Sequence, residues 1–125
     1  MDNEEQTWTP GEILNRYRLG ERDFTGLEIS EDDGGSSFAG SSLDGADFSD
    51  AFIVAGFDGT SLRGARFIGA NIKTCSFIGA DIRQADFAGA GLDGTTFQAS
   101  RLEDANFEGA TIQSRVFSPG EVPDW

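Results

Sequence analysis

Histidine and cysteine, which many catalytic sets need, are nearly absent from this chain. Its 125 residues include no histidine and a single cysteine, Cys75, so neither a Ser/His/Asp set nor a Cys/His set can be assembled. No glycine-rich segment precedes a helical pattern as a phosphate-binding loop would. We therefore expect a protein that is not an enzyme, with Cys75 as a small buried thiol and not a reactive one.

The densest group of metal-ligating side chains is the acidic run Glu31, Asp32 and Asp33. Carboxylates of this kind bind hard cations such as calcium. The run lacks the ligand spacing of calcium-binding loops, so we interpret it as a solvated acidic loop. We expect neither a bound metal nor a cofactor.

The chain is strongly acidic, with a formal net charge of −13. This charge argues against direct binding to nucleic acid or to anionic lipid and favours basic partners. The acidity is concentrated in residues 1–56, whereas residues 57–117 carry seven acids and six bases. There is no signal-peptide pattern, no apolar run approaches about 18 residues, and a single cysteine suits a reducing compartment. We expect a soluble cytoplasmic protein.

Large apolar residues recur at every fifth position along half of the chain. The series is Phe57, Leu62, Phe67, Ile72, Phe77, Ile82, Phe87, Leu92, Phe97, Leu102, Phe107, Ile112 and Phe117. A period of five fits neither a helix nor a strand. It requires a chain that turns a corner every five residues and points one bulky side chain inward each time, as internal repeats of a solenoid do. We call these bulky residues the centres.

Each centre belongs to a short unit in which a small residue and a polar residue come first and a polar residue and often a glycine follow. Examples are Ala70-Asn71-Ile72, Ala85-Asp86-Phe87 and Ala105-Asn106-Phe107. This pattern, over residues 24–117, resembles the pentapeptide repeat family. The resemblance implies an all-β fold, a right-handed quadrilateral β-helix with four units per coil and fewer than five coils.

Since Phe alternates with Leu or Ile, four units per coil place the same type of centre on opposite walls. The predicted columns of stacked centres are Phe57/Phe77/Phe97/Phe117, Phe67/Phe87/Phe107, Leu62/Ile82/Leu102 and Ile72/Leu92/Ile112. Neighbouring coils should lie about 4.8 Å apart. On the outside, Asp47, Arg66 and Asp86 are predicted to stack in one column of alternating charge.

The alternation also predicts two irregularities. Ile53, rather than the neighbouring Phe52, keeps the alternation in step, and Phe57 then follows after four residues instead of five. Upstream, Ile29 connects to Phe38 across nine residues, so residues 30–37 are predicted to form an extruded loop.

The ends of the chain are predicted to cap the solenoid. Thr9 to Glu12 has the pattern of a capping box, which predicts a short helix of about residues 10–19. The predicted organisation is therefore a tail and capping helix over 1–23, a β-helix over 24–117 and a C-terminal cap over 118–125. Val122 and Trp125 are the apolar side chains available as a lid.

The candidate interaction surface consists of Glu31, Asp32, Asp33, Phe52 and Val54. If Ile53 points inward, Phe52 and Val54 point outward as a bulky apolar pair on a polar shell. Three alternatives remain open: the 30–37 loop folds over the pair, the pair binds a partner within an acidic rim, or Phe52 turns inward at the dropped residue.

These features predict a non-enzymatic interaction or scaffold protein with an unidentified protein partner. We expect a monomer, with a dimer through the C-terminal end as the alternative. Some pentapeptide repeat proteins protect DNA gyrase from quinolones by mimicking duplex DNA, and the resemblance makes this the alternative function. The nearly neutral solenoid and the short tail depart from that type.

Overall fold

The computed structural model of the protein describes residues 6–31 and 37–125. Its elements in chain order are β1 (Thr7–Trp8), α1 (Pro10–Arg18), β2 (Glu28–Ser30), β3 (Phe52–Val54), β4 (Thr111–Ile112) and β5 (Arg115–Val116). Strands β1, β2 and β3 form a parallel sheet in that order, and β4 pairs with β5 in antiparallel orientation.

Most of the remaining chain forms a β-solenoid of five-residue units. Parallel bridges join residues twenty positions apart, such as Ser61 with Asp81, so one coil contains four units. From Phe38 to Leu92, each centre donates its N–H to the next coil, as Leu62 does to the carbonyl of Asp81 at 2.8 Å. A second bond closes each corner, as from the N–H of Ala65 to the carbonyl of Leu62 at 3.0 Å. The backbone therefore holds successive coils in register.

The interior is a double column of phenylalanine rings. Phe87 stacks on Phe67 and on Phe107 with ring centroids 4.8 Å apart in both cases. Across the core it meets Phe77 and Phe97 edge to face at 5.8 Å. Both arrangements are favourable for aromatic pairs. The predicted columns are confirmed for these residues, all of which are buried.

In the regular coils, small residues occupy the inward corner two positions before the centres. Ala80, Ala85 and Cys75 are buried there. Where threonine replaces alanine, its hydroxyl is satisfied locally: Thr60 Oγ1 donates to the carbonyl of Phe38 and Thr95 Oγ1 to that of Leu92, each at 2.7 Å. These bonds allow a buried hydroxyl without an unpaired polar atom.

The two predicted irregularities are visible in the register. Ile53 is fully buried, which confirms it as a centre. It pairs with Ile29, twenty-four positions away. A regular coil has twenty residues, so this coil is four residues longer, which equals the four additional residues between Ile29 and Phe38. Asp47 pairs with Arg66, only nineteen positions away, because one residue is missing between Ile53 and Phe57.

Helix α1 covers the N-terminal end of the solenoid. Thr9 is the N-cap and forms a capping box with Glu12, and Pro10 occupies the first turn. Ile13 is fully buried in the core, and the Tyr17 hydroxyl donates to the carbonyl of Asp44 at 2.7 Å. The cap is therefore fixed to the first coils by both apolar and polar contacts.

The predicted position of Phe117 beneath Phe97 is wrong. The chain reverses direction after β4, and the N–H of Phe117 bonds to the carbonyl of Ala110 at 2.9 Å. The Phe117 ring lies 6.1 Å from Phe107, on the opposite wall. The N–H of Phe97 instead bonds to the carbonyl of Trp125 at 2.7 Å, so the C-terminal segment takes the place of another coil.

Arg115 explains this reversal. It occupies the position two residues before Phe117, where the regular units place a small inward side chain, and a guanidinium cannot enter that apolar corner without a large cost. Gln113 has a positive φ of 54° and begins the tight turn between β4 and β5. The predicted lid is also corrected: Val122 is 42% exposed, whereas Pro123 and Trp125 provide the cover.

Candidate interaction surface

Strand β3 presents two bulky apolar side chains to solvent. Because neighbouring side chains of a strand point to opposite faces, burial of Ile53 directs Phe52 and Val54 outward. Phe52 is 48% exposed and Val54 is 42% exposed. We call Phe52 and Val54 the apolar pair. The alternative in which Phe52 turns into the core is therefore wrong.

The parallel register fixes the neighbours of the apolar pair. Glu28 lies beside Phe52 and Ser30 beside Val54 on β2. In the following coil Asn71 bridges to Phe52. The pair therefore has an acidic neighbour on the side of the N-terminal cap and a neutral polar neighbour on the other side.

Lys73 is the nearest base along this wall, but its side chain extends away from the apolar pair. It follows Asn71 by two residues, as Val54 follows Phe52. The Lys73 side chain lies beside Gly91 in the next coil: its Cε is 3.9 Å from the position that a Cβ on Gly91 would take.

Glu31 is fixed beside the apolar pair by two backbone contacts. Its N–H donates to the carbonyl of Val54 at 3.1 Å, and its Oε2 accepts the N–H of Gly56 at 2.8 Å. The carboxylate therefore forms part of the wall. Asp32 and Asp33 lie outside the described residues. The alternative in which the 30–37 loop folds over the apolar pair also depends on residues 32–36, which lie outside them.

Cys75 lies beneath this wall as an inert thiol. Its Sγ donates to the carbonyl of Ile53 at 3.2 Å, and only 1% of the residue is exposed. Burial raises the pKa of the Cys75 thiol to about 12. A backbone hydrogen bond at Ala55 lowers this pKa to a smaller extent, and the negative charge of Glu31 raises it slightly further. A nucleophile requires the thiolate, so this site does not supply one at neutral pH.

Polar and charged columns cover much of the remaining outer surface. The column of Asp47, Arg66 and Asp86 is confirmed by successive bridges, and Arg66 Nε lies 3.7 Å from Asp47 Oδ2. Asn106 extends the column by donating to Asp86 at 3.1 Å. Ile78, 42% exposed, lies on a different wall. The apolar pair therefore lies on a wall next to one that carries a column of charged side chains.

Two general features of the described residues bear on function. No group of three or more His, Cys, Asp or Glu side chains within 6–31 and 37–125 is arranged to hold a metal ion. In the same ranges, no helix has the length and apolar character needed to cross a membrane.

A second concave surface was missed by the sequence reasoning. It lies between the C-terminal half of α1 and the first coils, and it is lined by Leu14, Tyr17, Arg18, Arg22 and residues 41–42. The available signal was the concentration of three arginines in residues 16–22 of a chain with nine basic residues. The pairing of that segment with residues 41–42 depends on tertiary packing, which the repeat pattern does not specify.

Comparisons with known proteins agree with this architecture. The sequence profile of pentapeptide repeats matches residues 55–83 and 75–113, with eight copies. A pentapeptide repeat protein from Nostoc Pcc 7120 superposes with a TM-score of 0.65 at 23% identity, covering 88% of this chain and 84% of that one. Among curated proteins, no significant match is found.

Two further solved structures are more distant. A pentapeptide repeat protein of the Arabidopsis thaliana thylakoid lumen is 25% identical, with a TM-score of 0.48 and coverage of 58% of this chain and 66% of that one. QnrB1, a plasmid-mediated fluoroquinolone resistance protein, is 20% identical, with a TM-score of 0.44 and coverage of 74% and 66%. The five-residue units, the profile match and the superposition together lead to one assignment: residues 55–113 of this chain are repeats of the pentapeptide repeat family.

Proposed function

We propose that this protein is a non-enzymatic interaction module that binds a partner protein through the wall formed by β2 and β3. The observation that carries the proposal is the exposure of Phe52 and Val54 side by side on a regular parallel sheet. Large apolar side chains that cluster on an ordered surface are typical of contact sites. Aromatic residues are also enriched among the residues that dominate binding energy.

The surroundings of the apolar pair define the partner surface that fits it. Glu28 lies beside Phe52, Glu31 lies beside Val54, and Lys73 extends away over Gly91. A partner with an apolar side chain in the centre and a basic residue toward Glu28 would match this wall. A stable contact of about 800 Å² per partner would extend beyond the pair onto the neighbouring coils.

The rest of the proposal concerns the state of the protein. We propose a cytoplasmic monomer, in keeping with its single buried thiol and its acidic charge. We also propose a right-handed solenoid of fewer than five coils, since parallel strands joined within one sheet cross over with a right hand in about 98% of cases. The alternative function, gyrase protection by DNA mimicry, would require continuous acidic columns, whereas Asp47, Arg66 and Asp86 alternate in sign.

Site-specific photo-crosslinking tests the proposed surface. Benzoylphenylalanine replaces Phe52 in one variant and Ile78 in a control variant, since Ile78 is exposed to a similar extent on another wall. We expect a discrete crosslinked protein from extracts of the native host only with the Phe52 variant. Equal crosslinking from both positions, or none from either, would contradict the proposal.

A further inference from the structure

A groove beside the capping helix has the composition of an anion-binding site. Its volume is about 440 Å³, and it is open to solvent along one side. Leu14 and Tyr17 provide an apolar floor, and both pack against the core. Arg18 and Arg22 form part of the lining, together with the polar residues Ser41 and Ser42. The groove thus combines positive charge, hydroxyl groups and apolar surface.

The two arginines of the groove differ from half of the eight arginines of this protein in their partners. Arg16, Arg66, Arg83 and Arg115 each lie within 4 Å of a carboxylate. Within residues 6–31 and 37–125, no carboxylate oxygen lies that close to Arg18 or Arg22, the two that line the groove. In a chain with a net charge of −13, two positive groups that line the same groove thus have no carboxylate within 4 Å among the described residues.

Local contacts hold one of these guanidinium groups in place. The Arg22 guanidinium stacks 3.7 Å above the Tyr17 ring, and its Nη1 donates to the carbonyls of Tyr17 at 3.0 Å and Glu21 at 2.9 Å. Arg18 Nη1 donates to Asn15 Oδ1 at 2.6 Å. These bonds use a minority of the five donors of each guanidinium, so both groups retain donors for a ligand.

Glu21 and Asp23 flank Arg22 in sequence, but the Glu21 carboxylate pairs with Arg16 and the Asp23 carboxylate accepts the Thr25 hydroxyl. Asp44 contacts the groove through its backbone, and its carboxylate is also engaged elsewhere. Its carbonyl accepts the Tyr17 hydroxyl. Its Oδ1 accepts the Ser61 hydroxyl at 2.6 Å and the N–H of Arg63 at 2.9 Å in the next coil. The carboxylate is thus directed away from α1. The interaction of the two arginines with more distant acids is weakened by salt, which screens charges separated by more than about 8 Å at physiological ionic strength.

We propose that this groove binds an acidic peptide segment, with a carboxylate between Arg18 and Arg22 and an apolar side chain on Leu14 and Tyr17. A peptide suits the shape better than a small molecule does, because pockets for small ligands enclose most of the ligand surface and this groove is open along one side. Guanidinium groups bind carboxylates with directional, charge-assisted hydrogen bonds. This site is separate from the apolar pair and does not depend on the function proposed for it.

Titration with defined peptides tests the proposal. The probe is the acetylated and amidated peptide Glu-Leu-Asp-Phe-Glu, and the control peptides are Gln-Leu-Asn-Phe-Gln and Lys-Leu-Lys-Phe-Lys. Amide chemical shifts of the isotopically labelled protein report where each one binds. We expect the acidic peptide to shift residues 14–22 and 41–42 and the two control peptides to leave them unchanged. Equal shifts from the acidic and the neutral peptide would overturn the proposal.

Arginine variants identify the groups responsible. Arg18→Gln and Arg22→Gln should each weaken binding of the acidic peptide by about tenfold, the loss of one charge-assisted hydrogen-bond set. Arg101→Gln is the matched control, because Arg101 is exposed and lies on a distant coil. A similar loss with Arg101→Gln would indicate general attraction and overturn the proposal. If Arg22→Gln alters the thermal melt, the exposed Arg18 still provides the test.

A titration with inorganic phosphate separates a peptide site from a simple anion site. We expect phosphate to compete only at concentrations far above those of the peptide, because it has no apolar group to contact Leu14 and Tyr17. Binding of phosphate as tight as that of the peptide would overturn the assignment to a peptide.

Discussion

The side chain of Glu31 provides an acceptor for the backbone N–H of Gly56. Its Oε2 accepts the N–H of Gly56 at 2.8 Å from twenty-five positions away in sequence. In regular coils the equivalent N–H bonds to a corner carbonyl of the preceding coil, as Arg66 does to Ala46 at 2.9 Å. Glu31 thereby joins the irregular part of the solenoid to the wall that carries the apolar pair.

Removal of the Glu31 side chain should therefore destabilise the protein. Glu31→Ala should lower the free energy of unfolding by about 1 kcal/mol, the net value of one hydrogen bond, and Glu31→Gln should lower it less because an acceptor oxygen remains. Urea unfolding measures both changes. Glu108→Ala, at an exposed acidic position, is the control and should be nearly neutral. Equal effects of the Glu31→Ala and Glu108→Ala changes would contradict the assigned contact.

Phe87 tests the stacked core. Phe87→Ala should cost about 3–5 kcal/mol, since it removes a buried ring and leaves a cavity between Phe67 and Phe107. Phe52→Ala removes the same side chain from the outer surface and should cost less than about 1 kcal/mol. Unfolding midpoints compare the two. A loss below about 1 kcal/mol for Phe87→Ala would show that the column is wrongly assigned.

Phe117 tests the reversal of the chain at the C-terminal end. A double-mutant cycle between Phe107 and Phe117, with alanine at each, should give a coupling of about 0.5–1.5 kcal/mol, as expected for an aromatic pair. The corresponding cycle between Phe97 and Phe117 should give a smaller coupling. The opposite order would support a continued regular coil and contradict the hairpin of β4 and β5.

Cys75 should be unreactive in the folded protein. A thiol reagent at neutral pH should label it only after denaturation, since burial raises the pKa of its thiol to about 12 from an ordinary value of 9.0. The unfolded chain loses this proton at lower pH than the folded chain, so the contribution of the buried thiol to stability should decline as pH rises from about 9 to about 12. Cys75→Ala should show a shallower decline over that range. Rapid labelling of the folded protein would contradict the prediction.

The sequence pattern predicts the regular part of the fold well, and the reasons are physical. A centre in every fifth position and a small residue two places earlier leave one way to fill a narrow core, which is why Ile53 could be preferred over Phe52. Arg115, at a position reserved for small residues, was the available signal for the chain reversal, but the periodic Phe117 outweighed it. The interaction surfaces were harder to predict from the sequence, because core packing does not restrict the residue types that point outward. The apolar pair could be predicted from strand alternation, whereas the groove beside α1 depends on how the cap sits on the first coils.

The affinity of the partner for variants of the apolar pair tests the central claim most directly. With a purified protein identified by crosslinking, calorimetry compares the wild type with Phe52→Ser and Val54→Ser, and with Ile78→Ser as the matched exposed control. We predict that each change in the pair weakens binding by about tenfold or more, as loss of a central contact does, and that Ile78→Ser leaves it unchanged. Unchanged affinity for both variants of the pair would contradict the account.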